Sequence, residues 1–196
     1  MNRPKHIAIF ASGTGSNAQA IIDYFRDRED VKVVLIASNK PQAGVLEKAR
    51  KEGIDQLNLD SDLLQADDKL ARQLKAIPVD LIVLAGYLKK IPHSLIKAFP
   101  NQIINIHPAL LPKFGGKGMY GIHVHRAVKK AGEHESGITI HFVNEDYDKG
   151  ELIFQEKVSI QPEDDAETIA AKVLKLEHYH FPRVIDQLLT GVRKES

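Results

Sequence analysis

Asn105 and His107 stand at alternate positions of the run Ile103-Ile104-Asn105-Ile106-His107-Pro108-Ala109-Leu110-Leu111-Pro112. An extended chain repeats its side chains every two residues, so an amide and an imidazole spaced this way share one face of a strand. The amide offers hydrogen bonds and the imidazole titrates near neutrality, a pairing suited to handling charge. Pro108 cannot donate to a sheet ladder, so the strand is expected to end at His107. Both polar tips then lie at its carboxyl end, where open α/β sheets bind ligands. A hydrogen-bonded amide beside a structural histidine is the plainer reading of the same two residues.

The elements that must position them follow from apolar periodicity. Short continuous apolar runs at 7–11 and 81–85 have the pattern of strands covered on both faces, as in a parallel sheet, and 31–37 reads as another buried strand. Leu57 and Leu59 suggest a weaker strand, and residues 138–143 a β-branched-rich one. Residues 151–160 follow closely enough to pair with it as an antiparallel hairpin partner. Between the strands, Ala18, Ile21, Ile22 and Phe25 have helical spacing, and a second helix is expected to run to about Glu52, closed by Gly53. Further helices are expected from Asp67 to Ile77 before Pro78, and over 122–128. The acids of Pro162-Glu163-Asp164-Asp165 open a last helix that should run to about Tyr179, before Phe181-Pro182, with a further helical stretch through Leu189. The fold class is therefore α/β: a doubly wound, mostly parallel sheet with a Rossmann-like amino-terminal half and an antiparallel strand near the carboxyl end.

Composition bounds the function. The 196 residues, 43% hydrophobic and 27% charged, suit a single globular domain spanning 1–196. A formal net charge of +1 gives no global reason to hold a nucleic-acid backbone or a membrane surface, so any anion must be bound locally. The absence of cysteine excludes disulfides and cysteine-ligated metals. The start Met1-Asn2-Arg3-Pro4-Lys5 is basic, but the apolar run behind it is too short for a signal peptide or membrane span, so a cytoplasmic location is expected.

Several segments carry local chemistry. Ser12-Gly13-Thr14-Gly15-Ser16-Asn17 is a glycine-rich turn opening a helix, where free backbone amides and the positive end of the dipole can bind phosphate. It is neither a phosphate loop ending in Gly-Lys-Ser/Thr nor a full Gly-x-Gly-x-x-Gly, and a capped tight turn is the alternative. A side chain added at Gly15 is expected to block close approach of a phosphate. Leu88-Lys89-Lys90-Ile91 mixes apolar and basic residues at a strand's carboxyl end, which suits a flat ligand bearing carboxylates or simply a solvated helix entry. Residues 113–121 hold four glycines in nine positions and read as a mobile loop. His123 and His125 are two apart on a helix, hence about 200° apart around it, which suits capping or packing better than a metal. Asn144-Glu145-Asp146-Tyr147-Asp148-Lys149-Gly150 is an acidic loop lacking the central glycine and closing glutamate of an EF-hand.

Asn105-Ile106-His107-Pro108-Ala109-Leu110-Leu111-Pro112 resembles the signature of the folate-dependent formyltransferases, and the likeness extends over roughly residues 6–190. Within that family the chain is similar to members that formylate glycinamide ribonucleotide in purine synthesis. The resemblance implies a catalytic trio of Asn105, His107 and Asp148, and it places the ribonucleotide phosphate on Gly15, Ser16 and Asn17 with Glu177 at its amine or ribose. It implies 10-formyltetrahydrofolate as co-substrate, bound by Leu88, Lys89, Lys90, Ile91 and Asn105 and wrapped by Asn144, Glu145, Asp146, Tyr147 and Asp148. Lys89 stands where the family has arginine, Lys149 where it has glycine or another small residue, and no basic residue lies between Asp60 and Asp68.

The chemistry so implied is direct attack of a neutral amine on the formyl carbon, with Asn105 and a protonated His107 stabilising the oxyanion. Asp148 beside His107 is expected to raise the imidazole pKa above about 6.5 and to guide proton transfer. Neither a metal nor a covalent intermediate is required. The implied partners are the two small molecules, with no nucleic acid and no membrane, in a monomer or a homodimer. Another formyltransferase of the family, a formyltetrahydrofolate hydrolase, and a nucleotide-binding module without catalysis are the alternatives.

Overall fold

The computed structural model describes residues 3–66 and 68–191; Met1, Asn2 and Asp67, on which parts of the reading above rest, lie outside the described residues. Its frame is a seven-stranded sheet in the order β3-β2-β1-β4-β5-β6-β7. The strands are β1 (Lys5–Phe10), β2 (Val31–Ser38), β3 (Asp55–Asn58), β4 (Leu81–Leu84), β5 (Ile103–His107), β6 (Glu135–Phe142) and β7 (Leu152–Ser159). The helices are α1 (Ser16–Phe25), α2 (Gly44–Lys51), α3 (Ser61–Gln65), α4 (Lys69–Ala76), α5 (His93–Ala98), α6 (Ile122–Lys130) and α7 (Ala166–Thr190). The first five strands run parallel; β6 is antiparallel to both β5 and β7, so β6 alone runs against the rest.

Strand alternation sorts the core into two layers. Ile7, Ile9 and Ala11 face one side with Leu81, Val83, Ile104 and Ile106, under Ala18, Ile21 and Phe25 of α1 and Ile169, Val173 and Phe181 of α7. Ala8, Phe10, Ile82, Leu84 and Ile103 face the other side, under Leu63, Leu70, Leu74 and Leu95. Each fully buried aliphatic or phenyl side chain contributes roughly 1.5–3 kcal/mol, which is why apolar runs locate the central strands so well. Asn105 and His107 fall on the same side as Ile103 because they are two and four residues further along the strand. The strand order reverses between β1 and β4, and there the loops are tied together. Ser12 N donates to Gly86 O at 3.0 Å, Leu88 N donates to Ser12 Oγ at 3.0 Å, and Ser12 Oγ donates to Asn39 Oδ1 at 2.6 Å.

Two helix expectations need correction. The 67–77 segment holds α4 only from Lys69, preceded by the separate short α3, whose start Asp60 caps by accepting from Leu63 N. The last helix does not stop before Phe181-Pro182 but runs unbroken for 25 residues, with Pro182 inside. Proline there removes one intrahelical bond, at a cost of about 3 kcal/mol. Burial of Phe181, Pro182, Val184 and Ile185 on the same helix offsets that loss. The helix starts at Ala166, later than the acids at 163 and 164, because the Asp165 side chain accepts from Thr168 N at its first turn.

The β6·β7 pair sets the outer wall of the sheet, and its closeness depends on Gly137. A Cβ at this position would lie 2.0 Å from Glu156 O and 2.7 Å from Leu110 Cδ2. Gly137→Ala is therefore expected to lower stability by roughly 1–3 kcal/mol through overpacking. The measurement is urea unfolding, read as a lower midpoint at an unchanged slope.

Candidate active site

β5 and β6 present the polar side chains jointly. Their antiparallel register sets Asn105 opposite His141 and His107 opposite Thr139, and directly opposed residues share a face. Thr139 Oγ1 accepts from Leu111 N at 3.0 Å and from Gln155 Nε2 at 2.9 Å, and donates to Ala109 O at 2.7 Å. These bonds hold the turn that leaves His107, so that Phe114 O returns to within 2.7 Å of His107 Nε2. With Nε2–H donating to that carbonyl, the neutral ring leaves Nδ1 as its unprotonated nitrogen.

Nδ1 of His107 lies 3.6 Å from Asp148 Oδ2. Asp148 sits in the left-handed region at φ 54, at the end of the loop between β6 and β7, and this conformation turns its carboxylate back over the sheet face. Oδ2 accepts from Gly116 N at 2.8 Å, and Oδ1 lies 3.5 Å from Asn105 Nδ2 and 3.6 Å from His141 Nε2. Asn105 Nδ2 is also 3.2 Å from His141 Nε2, whose other ring nitrogen donates to Phe142 O at 2.8 Å. Thus Asn105, His107, His141 and Asp148 form one contiguous polar group.

The electrostatics correct the expectation for His107. Burial is the largest influence and pulls its pKa below 6.5; Asp148 and the Phe114 carbonyl push upward without overcoming it, and His141 adds to the lowering. Burial pushes the Asp148 carboxyl upward, yet the imidazoles of His141 and His107 and the Gly116 amide together hold it below the usual 3.8. The carboxylate is charged while the imidazole is neutral.

A cavity of about 970 Å³ opens beside this group. Leu88, Lys89, Lys90 and Ile91 line one part of it and Asn144, Glu145, Asp146 and Tyr147 another, the two segments meeting where Glu145 reaches His93 at 2.8 Å, and Asn105, His107 and Asp148 line it as well. Asn144 shapes its loop by donating to Lys149 O at 3.1 Å and accepting from Asp146 N at 3.0 Å, while the Lys149 side chain turns to Asp146 at 3.6 Å. Lys89 and Lys90 are exposed, with their charges at the rim. The glycine-rich segment supplies Gly116 to Gly121 as a further edge. His125, buried, lines the cavity, whereas His123 is exposed and stacks edge-on against Tyr120, so the two rings leave α6 on different sides.

At the far end stand Asn17 and Glu177, the latter buried on α7. Asn17 Nδ2 donates to Glu177 Oε2 at 2.6 Å. Burial raises the Glu177 pKa, against the opposing pull of that hydrogen bond. Of the three turn residues, Asn17 lines the cavity, Ser16 begins α1, and Gly15 is buried beneath α2. Gly15 has φ 74, and a Cβ there would lie 2.5 Å from Val45 Cγ2 and 3.0 Å from Val45 Cα. Glycine is thus demanded by helix packing before any ligand is considered, so a substitution at this position reports on folding. Helix α1 has no side-chain cap at its start.

Sequence reasoning missed His141. The alternation of β6 hints at it, since Thr139 and His141 share the face opposite Ile138 and Ile140. Its meeting with Asn105 depends on a pairing register between segments 36 residues apart.

The fold is that of a defined class: the chain belongs to the formyl transferase family, whose profile matches residues 5–185. It is 44% identical over 189 residues to "Phosphoribosylglycinamide formyltransferase, chloroplastic" of Arabidopsis thaliana, covering 93% of this chain and 65% of that protein. It is 38% identical over 190 residues to "Phosphoribosylglycinamide formyltransferase" of Bacillus subtilis (strain 168), covering 94% and 95% of the two chains. The chain thus spans slightly under two thirds of the plant relative and nearly all of the bacterial one. Among solved structures, glycinamide ribonucleotide transformylase 1 from Symbiobacterium toebii superposes with a TM-score of 0.87 at 34% identity, over 99% of this chain and 93% of that one. The family uses a folate-type co-substrate.

The balance at His107 is directly measurable. Its ring is expected to titrate below 6.5, and Asp148→Asn should lower that value further by removing the charge that opposes the effect of burial. Because the folded-state pKa lies below the unfolded one, the neutral ring contributes stability above pH 6.5 that is lost as pH falls through 6.5 towards the folded value. An NMR titration of the imidazole in both proteins checks the sign.

Proposed function

We propose that the chain transfers the formyl group of 10-formyltetrahydrofolate to the amine of glycinamide ribonucleotide, giving the formylated ribonucleotide and tetrahydrofolate. The observation that carries this reading is the meeting of Asn105, His107 and Asp148 at one cavity in a member of the formyl transferase family. The folate occupies the side between Leu88–Ile91 and Asn144–Asp148, with its carboxylates towards Lys89 and Lys90. The ribonucleotide enters from the end marked by Asn17 and Glu177, with its phosphate on the uncapped start of α1. The reaction takes place in the cytoplasm.

The residues act in a definite order. Asn105 directs an amide N–H at the oxyanion that forms when the amine adds to the formyl carbon. His107, neutral at rest with Nε2–H held by Phe114 O, accepts at Nδ1 the proton that the amine loses, directly or through water. Asp148, at 3.6 Å, then stabilises the imidazolium, and the proton passes on to the departing folate nitrogen. This replaces the expectation of a resting imidazolium with one formed during turnover.

Hydrolysis of the formyl donor by water uses the same three residues and is the competing reading. A coupled assay separates the two. Formylated ribonucleotide and tetrahydrofolate should appear in equal amounts and only when both substrates are present; folate consumption without ribonucleotide would identify a hydrolase. In the same assay Asp148→Asn should reduce kcat by about 100-fold or more, with little change in the KM for ribonucleotide.

A further inference from the structure

Five buried side-chain atoms lack a hydrogen-bond partner among the described residues, and three of them belong to residues lining the large cavity: Asn17, Tyr87 and His125. Asn17 and His125 stand within the polar part of the site. Tyr87 does not. It lines the cavity in company with Leu84 and Ile91, is 8% exposed, and packs edge-on against Phe10 with ring centroids 5.6 Å apart. Its ring belongs to the apolar layer that also holds Leu84, Ile91 and Leu95.

A phenol in such a place needs an explanation. The ring contact with Phe10 and the apolar packing would be served equally by phenylalanine, whereas a buried hydroxyl without a partner costs stability. Burial, and then the neighbouring Tyr147, push the Tyr87 pKa up to about 12, so the hydroxyl keeps its proton throughout the physiological range. Tyr147 is itself exposed and lines the cavity with Leu88–Ile91, at the side assigned above to the folate.

We infer that the Tyr87 hydroxyl, closed off beside its neighbour Tyr147, is uncovered when the loop carrying Tyr147 yields to a ligand and is then a specificity-determining donor that completes its hydrogen bond to an acceptor, a carbonyl or ring nitrogen, on the edge of the ligand's flat heteroaromatic ring. The inference rests on the folate reading above. Leu84 and Ile91 supply the apolar surface for the ring, and Tyr87 supplies a polar check within that surface. Such a donor discriminates strongly, because a ring lacking the acceptor leaves the hydroxyl buried and unpaired.

Tyr87→Phe tests this with little change of shape. Titration calorimetry of the full chain with tetrahydrofolate should show about a fivefold to tenfold weaker Kd in the variant. Affinity for glycinamide ribonucleotide should be unchanged, and the Tm without ligand unchanged or higher, since no bond within the protein is lost. Equal Kd values for tetrahydrofolate in the two proteins would overturn the assignment. A lower Tm with equal weakening towards both ligands would also overturn it, by marking the hydroxyl as structural. Failure of the unsubstituted protein to bind tetrahydrofolate at all would instead remove the proposed function, and this inference with it.

Discussion

The reversal of β6 is the constraint on which the site depends. A sixth strand parallel to the others would have needed a crossover of its own, and the loop that follows it would have begun at the other end of β5. Running antiparallel, β6 sets His141 against Asn105 and Thr139 against His107, and its hairpin loop to β7 turns back across the same face carrying Asp148. The closure is tight: Phe142 N donates to Glu151 O at 2.9 Å, and a Cβ on Gly150 would lie 1.6 Å from Phe142 O. Thr139 meanwhile fastens the turn after β5, so that Phe114 O reaches His107. One change of strand direction therefore assembles groups from four separate segments.

What the sequence made legible follows from which forces are local. The strands at β1, β2, β4 and β5 declare themselves because a doubly covered strand must be apolar throughout, and residues alternating in the sequence alternate between the two core layers. The shared face of Asn105 and His107 is legible for the same reason. The continuity of α7 through Pro182 is not, because a local cost of about 3 kcal/mol is outweighed by burial that only the folded chain defines. His141 escaped notice because register is a long-range property, and the packing demand on Gly15 was not legible because the approach of Val45 is invisible before α2 is placed.

The two walls of the cavity differ in how firmly they are held. The Leu88 segment is anchored by Ser12, which also grips Asn39, so the start of the first turn and this wall share one hydroxyl. In the facing loop Asp148 is fixed by Gly116 N at 2.8 Å, but residues 144–147 before it are held by the Asn144 bonds within the loop and by an exposed His93 to Glu145 contact at 2.8 Å. Exposed pairs of this kind are worth little, so the loop is the wall able to yield when a ligand enters.

The opposed pressures on His107 and Asp148 explain why both are buried together. A carboxylate taken from water tends to protonate, but Asp148 is compensated by the Gly116 amide and two imidazoles and stays charged. His107 has no comparable compensation, because its Nε2–H is used on a neutral carbonyl and its Nδ1 stands 3.6 Å from the carboxylate, beyond a hydrogen bond. The pair thus rests one proton short of a buried imidazolium against a carboxylate, an arrangement that burial disfavours until a proton is delivered. In the proposed reaction that missing proton is the one the attacking amine must lose. Had burial been weaker, His107 would hold its proton more readily and be less able to accept another; had the amide of Gly116 been absent, Asp148 would be less able to remain ionised for the moment the imidazolium forms.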